Sequence, residues 1–390
     1  MTTTVSAAGA AHFLSLVPLM LGFTPTDSLV IVPFAGSTSL GALRVDLAED
    51  EDRDLGSRAS TVLGMVCRIP DATGLAAIAY SPRSAAAALP GAPQLREIRL
   101  AAEACGIRVV DLLTVASDGW GSHLGPETPA RGRPLREIDA ARRGDAVARR
   151  AAARRPPRGD QASGSRLPGY SSPDRRAVAA ALESVNVAAE AVRGILSLSG
   201  GGIAPTALAT VLELDDPPEL FENALDLALP GVAPADLHSS DPDLLRIALL
   251  IWCLARPSLR DIALVQWVLG RDGGDDALVA QQGWEDGEAY PEHLAAVVWG
   301  DGERPDPVRL ERALELVRHL ASLAGRAERP GPLALCAWLS WALGRSTHAD
   351  RYARRALEID PDHGLAEIIL TFVQNGHLPD WAFRARRTVR

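Results

Sequence analysis

The run Leu29-Val30-Ile31-Val32-Pro33-Phe34 constrains this chain most. Six nearly unbroken apolar residues are strand length, too short for a membrane span, and suited to a strand buried on both faces. Turn chemistry brackets the run. Thr24-Pro25-Thr26-Asp27-Ser28 precedes it, and Gly36-Ser37-Thr38-Ser39 follows. Beyond the turn, Leu43, Val45 and Leu47 alternate with Arg44 and Asp46, the signature of a half-buried strand. A hairpin therefore organises the N-terminal part. Ahead of it, Ala7–Leu21 reads as a helix with Phe13, Leu16, Val17 and Met20 on one face. Pro18 kinks or breaks that helix, and Gly22 ends it. No basic residue precedes this apolar stretch, so a first helix is the reading, not a signal peptide.

The pattern continues as a helix at Leu55–Cys67, a strand at Gly74–Tyr80, a helix at Pro93–Ala104 and a strand at Ile107–Val115. A short edge strand is expected after Ser117-Asp118-Gly119-Trp120. This order predicts an α/β N-terminal domain: a mixed sheet with a hairpin and crossover helices. Residues 125–171 change character, with Pro, Gly and Arg dominating around a helical piece at 135–154; they read as a linker between domains 1–124 and 172–390.

The rest predicts an all-α C-terminal domain. Ser172-Pro173-Asp174 starts one helix, with Ser172 as N-cap. Ser258-Leu259-Arg260-Asp261 has the form of a capping box. Arg271–Asp276 reads as a solvated loop, too poor in alternating ligands for calcium. Ser197–Gly202 reads as a helix end and loop, not a phosphate cradle. Leu310, Leu314 and Val317 mark a later helix. Residues 333–375 hold the pattern A-W-x-x-W-A-L-G-x4-A-x-x-Y-A-x-x-A-L-x-x-D-P, similar to a single tetratricopeptide unit.

Composition excludes several chemistries. The chain of 390 residues has 40 basic residues, all arginine and no lysine. A GC-rich genome is the plain account of that bias; avoidance of a lysine-directed modification is the alternative. Walker A nucleotide hydrolysis, pyridoxal catalysis and protein kinase activity each need a lysine, so they are disfavoured. Formal net charge is −9, which speaks against a dedicated nucleic-acid binder. The charge is uneven: Gly121–Arg176 has 13 Arg against 6 acids, and Gly201–Leu310 has 6 Arg against 20 acids. Cys67, Cys105, Cys253 and Cys336 stand far apart without C-x-x-C spacing and read as buried free thiols of a cytoplasmic protein.

Two stretches resemble the DUF4192 family of actinobacteria. One is Leu19-Met20-Leu21-Gly22-Phe23-Thr24-Pro25-Thr26-Asp27-Ser28-Leu29-Val30; the other is the helix pair from Ala337-Trp338-Leu339 to Asp360-Pro361. Leu259-Arg260-Asp261 resembles a helix start in the middle of such proteins. The resemblance implies no activity, because the family has none established. Relatives carry a tryptophan-containing turn followed by cysteines; here Trp120-Gly121-Ser122-His123 has no cysteine after it, so thiol or metal chemistry there does not carry over.

The candidate ligand-binding residues are Asp27, Ser28, Arg44, Asp46, Asp118, Trp120 and His123, all at strand ends or turns of the first domain. Ligands of open α/β sheets favour the carboxyl ends of strands, so Asp46, Asp118 and His123 are expected at one rim, with Asp27 and Ser28 at the opposite one. Turn-fixing is the competing role for Asp27 and Ser28. No catalytic residue, metal site or cofactor is implied. The leading functional expectation is an interaction or scaffold protein with protein partners and no membrane contact. A small-molecule pocket or enzyme at the α/β rim is the alternative. Nucleic-acid binding through Arg131–Arg158 is a third.

Overall fold

The computed structural model describes residues 9–125, 129, 131–146, 149–150, 153, 157, 159–194, 203–226 and 241–383. The chain forms two compact units, Met1–Gly164 with Phe383–Arg390, and Ser165–Ala382.

The first unit is a mixed six-stranded sheet with helices. Its strands are β1 (Ser28–Ala35), β2 (Thr38–Ser39), β3 (Leu43–Asp46), β4 (Gly74–Tyr80), β5 (Arg108–Val115) and β6 (Trp120–Ser122). β1 pairs antiparallel with β2 and β3 on one side and with β4 on the other; β4 and β5 are parallel, and β6 is antiparallel to β5. The hairpin's return arm is broken between β2 and β3. The break falls at Val32–Pro33, where proline has no N–H to give a ladder.

Strand alternation sorts β1 onto two cores. Leu29 and Ile31 face a layer made by α2 (Leu55–Cys67) and α3 (Ala92–Ala104), meeting Val62, Leu63, Val66, Leu95 and Ile98. Val30 and Val32 face Leu14 and Val17 of α1 (Ala10–Leu21), with Ile138 of α4 (Arg136–Gly144) packed beside them. Burial on both faces is why the Leu29–Phe34 run is not alternating. The α1 helix accommodates Pro18 and ends on Gly22, whose N–H reaches the Pro18 carbonyl from a left-handed φ of 79°. Part of the stretch 125–171 thus supplies α4, which packs against α1.

The second unit is helical: α5 (Ser172–Val192), α6 (Pro205–Val211), α7 (Pro217–Ala224), α8 (Pro242–Leu254), α9 (Pro257–Leu269), α10 (Arg271–Glu285), α11 (Glu292–Val298), α12 (Pro307–Leu323), α13 (Pro330–Ala342), α14 (Ser346–Leu357) and α15 (Gly364–Gln374). Every residue of α13 is buried. A helix apolar all round must be central, and α13 touches α8, α9, α12, α14 and α15.

Four local expectations are corrected. The N-cap of α5 is Ser171, not Ser172: its hydroxyl accepts from Asp174 N–H at 3.2 Å while the Asp174 carboxylate accepts from Ser171 N–H at 2.8 Å. The reciprocal box needs the acid three residues after the cap, which fixes the register. Ser258 caps nothing; Pro257 takes the first helical position and Asp261 pairs with Arg260 at 2.8 Å. Arg271–Asp276 is the first turns of α10, held by Arg271 to Asp275 within the helix and to Asp216 and Glu219 near α7. Cys67 and Cys105 are exposed; Cys253 and Cys336 are buried, and burial pushes the Cys253 thiol up to about 12. The Ser197–Gly202 stretch lies outside the described residues, as does part of Arg131–Arg158.

Candidate functional site

Because β1 runs against β3 and β4, its N-terminal end lies at their C-terminal ends. Ser28 stands opposite both Asp46 and Tyr80. The expected separation of Asp27 and Ser28 from Asp46 is therefore corrected: they share one rim. Asp27 adopts a left-handed φ of 46°, and its carbonyl accepts from Leu47 N–H at 3.2 Å. The Ser28 hydroxyl donates to the Thr26 carbonyl at 2.7 Å and accepts from Arg44 Nε at 2.8 Å. Arg44 Nη1 reaches Asp46 Oδ1 at 2.6 Å. Four of the seven candidate residues thus form one network that closes the hairpin.

Asp118 and Trp120 lie at the same sheet edge, three strand spacings or roughly 14 Å from Ser28. The Asp118 carboxylate accepts from the Ser84 hydroxyl and from Ala85 N–H, and these bonds hold it below the usual carboxylate range. Trp120 is buried against the α1 face, its Nε1 without a hydrogen-bond partner among the described residues.

His123 leaves the rim. β6 carries it back along β5 until its N–H meets the Leu112 carbonyl at 2.7 Å. Buried Thr114 donates its hydroxyl to the Pro90 carbonyl at 2.9 Å, so it accepts from His123 Nε2–H at 2.8 Å. Burial holds the imidazole below its ordinary value, with Asp111 opposing. A depressed histidine pKa means the unfolded chain binds the proton more readily than the folded one. Its contribution is therefore present above about pH 6.5 and is lost as pH falls from there toward the folded pKa. Stability against denaturant is expected to decline on acidification through that window, and H123Q, which keeps a donor to Thr114, is expected to flatten part of the slope. An unchanged slope in H123Q would remove His123 from this role.

The second unit holds an open recess of about 510 Å³. Two helix starts border it, Pro330 and Gly331 opening α13 and His363 as the N-cap of α15, while Ala255 is the C-cap of α8. Helix N-termini carry partial positive charge. Arg326 and Asp360 complete its polar lining. Arg329, just before α13, has Arg175 from α5, Arg355 from α14 and Arg326 as charged neighbours. Arg329 donates through Nε and Nη2 to the Ala324 carbonyl, at 3.1 and 2.6 Å, capping the end of α12. Burial, and then Arg175, Arg355 and Arg326, pull its guanidinium below the ordinary value. No carboxylate forms an ion pair with Arg175, Arg326 or Arg355 among the described residues. His363 is held down by burial and by Arg260, whose Nη1 lies 3.4 Å from Nε2. The lining holds no hydroxyl or thiol side chain.

Sequence reasoning missed this arginine group because its members come from α5, the α12–α13 turn and α14. Only Arg326 and Arg329 are near in sequence, and that spacing matches no motif. Among the described residues, no group of three or more His, Cys, Asp or Glu could hold a metal ion, and no helix is long and apolar enough to cross a membrane.

The chain thus joins a mixed-sheet α/β unit to a helical unit. The family profile for DUF4192, a domain of unknown function, matches residues 11–380, and the chain belongs to that family. Comparison with curated proteins returned no match, and comparison with solved structures returned none.

Proposed function

We propose that this chain is a binding protein for a small anionic molecule bearing phosphate or carboxylate groups, held in the recess of the helical unit. One observation carries the reading: Arg326 lines a recess of ligand size and, with Arg175 and Arg355, bears on the neighbouring Arg329, and these three lack a carboxylate partner among the described residues. Like charges brought together repel, and an anion relieves that repulsion while accepting bidentate hydrogen bonds. Asp360 would repel it, which favours a ligand anchored on the Arg326 side.

Thermal denaturation in inorganic phosphate, pyrophosphate or citrate, against chloride at matched ionic strength, tests the proposal. A ligand at a hundredfold its Kd stabilises by about 2.7 kcal/mol, so Tm should rise by several degrees. R326A combined with R355A should abolish the rise. No rise with any of the three anions, or an undiminished rise in the double variant, would overturn it.

A second reading is an interaction or scaffold protein of the cytoplasm without a catalytic site. It draws support from Val279 and Trp284, exposed on α10, and from the tetratricopeptide-like order of α13 and α14. The two readings separate by substitution: binding that depends on Trp284 and not on Arg326 favours the second.

A further inference from the structure

The two exposed cysteines are 38 positions apart in sequence yet adjacent in space. Cys67 ends α2, and Cys105 follows the last residue of α3 as its C-cap. The two helices pack side by side on one face of the sheet, joined through Leu63, Val66 and Ala102 in the core beneath. The strands that follow the two helices start side by side, Gly74 opposite Arg108 in the parallel β4–β5 pair, which sets both helix ends at the same end of the layer. Partial burial of its sulfur and then the neighbouring Cys105 thiol, by hydrogen bonding and charge, push the Cys67 thiol up from its ordinary value. Cysteine is among the most buried residue types, and Cys253 and Cys336 follow that rule. A pair of neighbouring thiols that are both exposed is a different situation.

We propose that Cys67 and Cys105 are a modification site: a dithiol that closes reversibly to an intramolecular disulfide, clasping the ends of α2 and α3. With hydrogen peroxide as oxidant, one thiolate attacks a peroxide oxygen, giving a sulfenic acid and releasing hydroxide, which leaves as water. The second thiol then displaces the sulfenic hydroxyl, again as water. Two thiols and one peroxide become one disulfide and two waters. Two sulfurs are oxidised by one electron each, and the peroxide takes up both electrons. A small dithiol reverses the bond by exchange. Proximity favours ring closure over a mixed disulfide, because the partner thiol is already in place.

The test uses the full chain, folded, treated with hydrogen peroxide and then alkylated. Intact mass should fall by ~2 Da for the two hydrogens lost. Digestion should yield one linked peptide pair containing Cys67 and Cys105, and dithiothreitol should restore both thiols to alkylation. Cys253 and Cys336 should stay unreacted until the protein is denatured. In C67S and in C105S the linked pair should vanish, and the remaining thiol should proceed to sulfinic acid or form an intermolecular disulfide. Independent over-oxidation of both thiols in the unsubstituted chain, with no linked pair at any peroxide concentration, would overturn the proposal. A linked pair containing Cys253 or Cys336 would do so as well.

Discussion

Replacing Gly331 by alanine is expected to lower the stability of the helical unit by about 3 kcal/mol, the upper end of the usual overpacking cost. In a solvent-exposed helix the same change would stabilise by up to about 1 kcal/mol, so the sign itself is diagnostic. Gly331 is the second residue of α13, at the point where that helix meets the end of α8. A Cβ there would overlap the Leu254 carbonyl oxygen and stand 2.9 Å from its carbon and 3.0 Å from Ala255 Cα. All three obstacles are main chain, which cannot rotate aside as a side chain would. The helix must retreat from the α8–α9 corner, and α13 is packed on every side. For a unit of this size the loss corresponds to roughly 6–12 °C in Tm. G364A supplies the control. Gly364 opens α15, and a methyl group there would meet nothing within 4 Å, so that variant should melt within a degree or two of the parent. If G331A melts at or above the parent, α13 does not approach α8 this closely.

The hairpin, the two crossover helices and the parallel β4–β5 pair are legible in the sequence because each obeys a local period. β1 announces its double burial by refusing to alternate, and α2 by the stripe Val62, Leu63 and Val66. What local pattern cannot carry is direction and proximity. The carboxyl-end rule puts Asp27 and Ser28 at the wrong rim because it assumes parallel strands, and β1 is antiparallel to both neighbours. Nearness in sequence to Trp120 draws His123 into the rim, but three residues of strand lead it away. Arg271–Asp276 reads as a loop because two glycines and three aspartates lower helix propensity. Tertiary contact overrides that: Gly273 and Gly274 let α10 pack tightly against Leu269 and Gln266 of α9. The arginine group and the Cys67–Cys105 pair share one obstacle: their members meet only after helices far apart in sequence have packed.

Trp341→Ala should be the most damaging single substitution in the aromatic cluster that joins α13 to α15. The Trp341 ring is fully buried. Its centroid lies 4.9 Å from Phe372, 6.1 Å from Trp338 and 6.4 Å from Trp381, and it stacks on His377 at 6.0 Å. Its Nε1 donates to the His377 carbonyl at 2.8 Å. Truncation removes a large buried apolar surface and leaves a cavity between helices that cannot easily close, at about 3–5 kcal/mol. The His377 carbonyl also loses its donor, and a buried unsatisfied acceptor costs a further ~1–3 kcal/mol unless water reaches it. Trp341→Phe separates these contributions: it keeps an aromatic ring against Phe372 and Trp338 but has no N–H, so it should cost clearly less than the alanine variant. Trp284→Ala, at an exposed tryptophan, should stay within about 0.5 kcal/mol and gives the baseline for losing an indole from the surface. Chemical denaturation followed by tryptophan fluorescence and by circular dichroism measures all three. A Trp341→Ala loss no larger than that of Trp284→Ala would mean that α13 and α15 are held together by something other than this cluster. A large loss in alanine and a small one in phenylalanine would place the binding between them in ring packing, with the indole hydrogen bond setting the geometry.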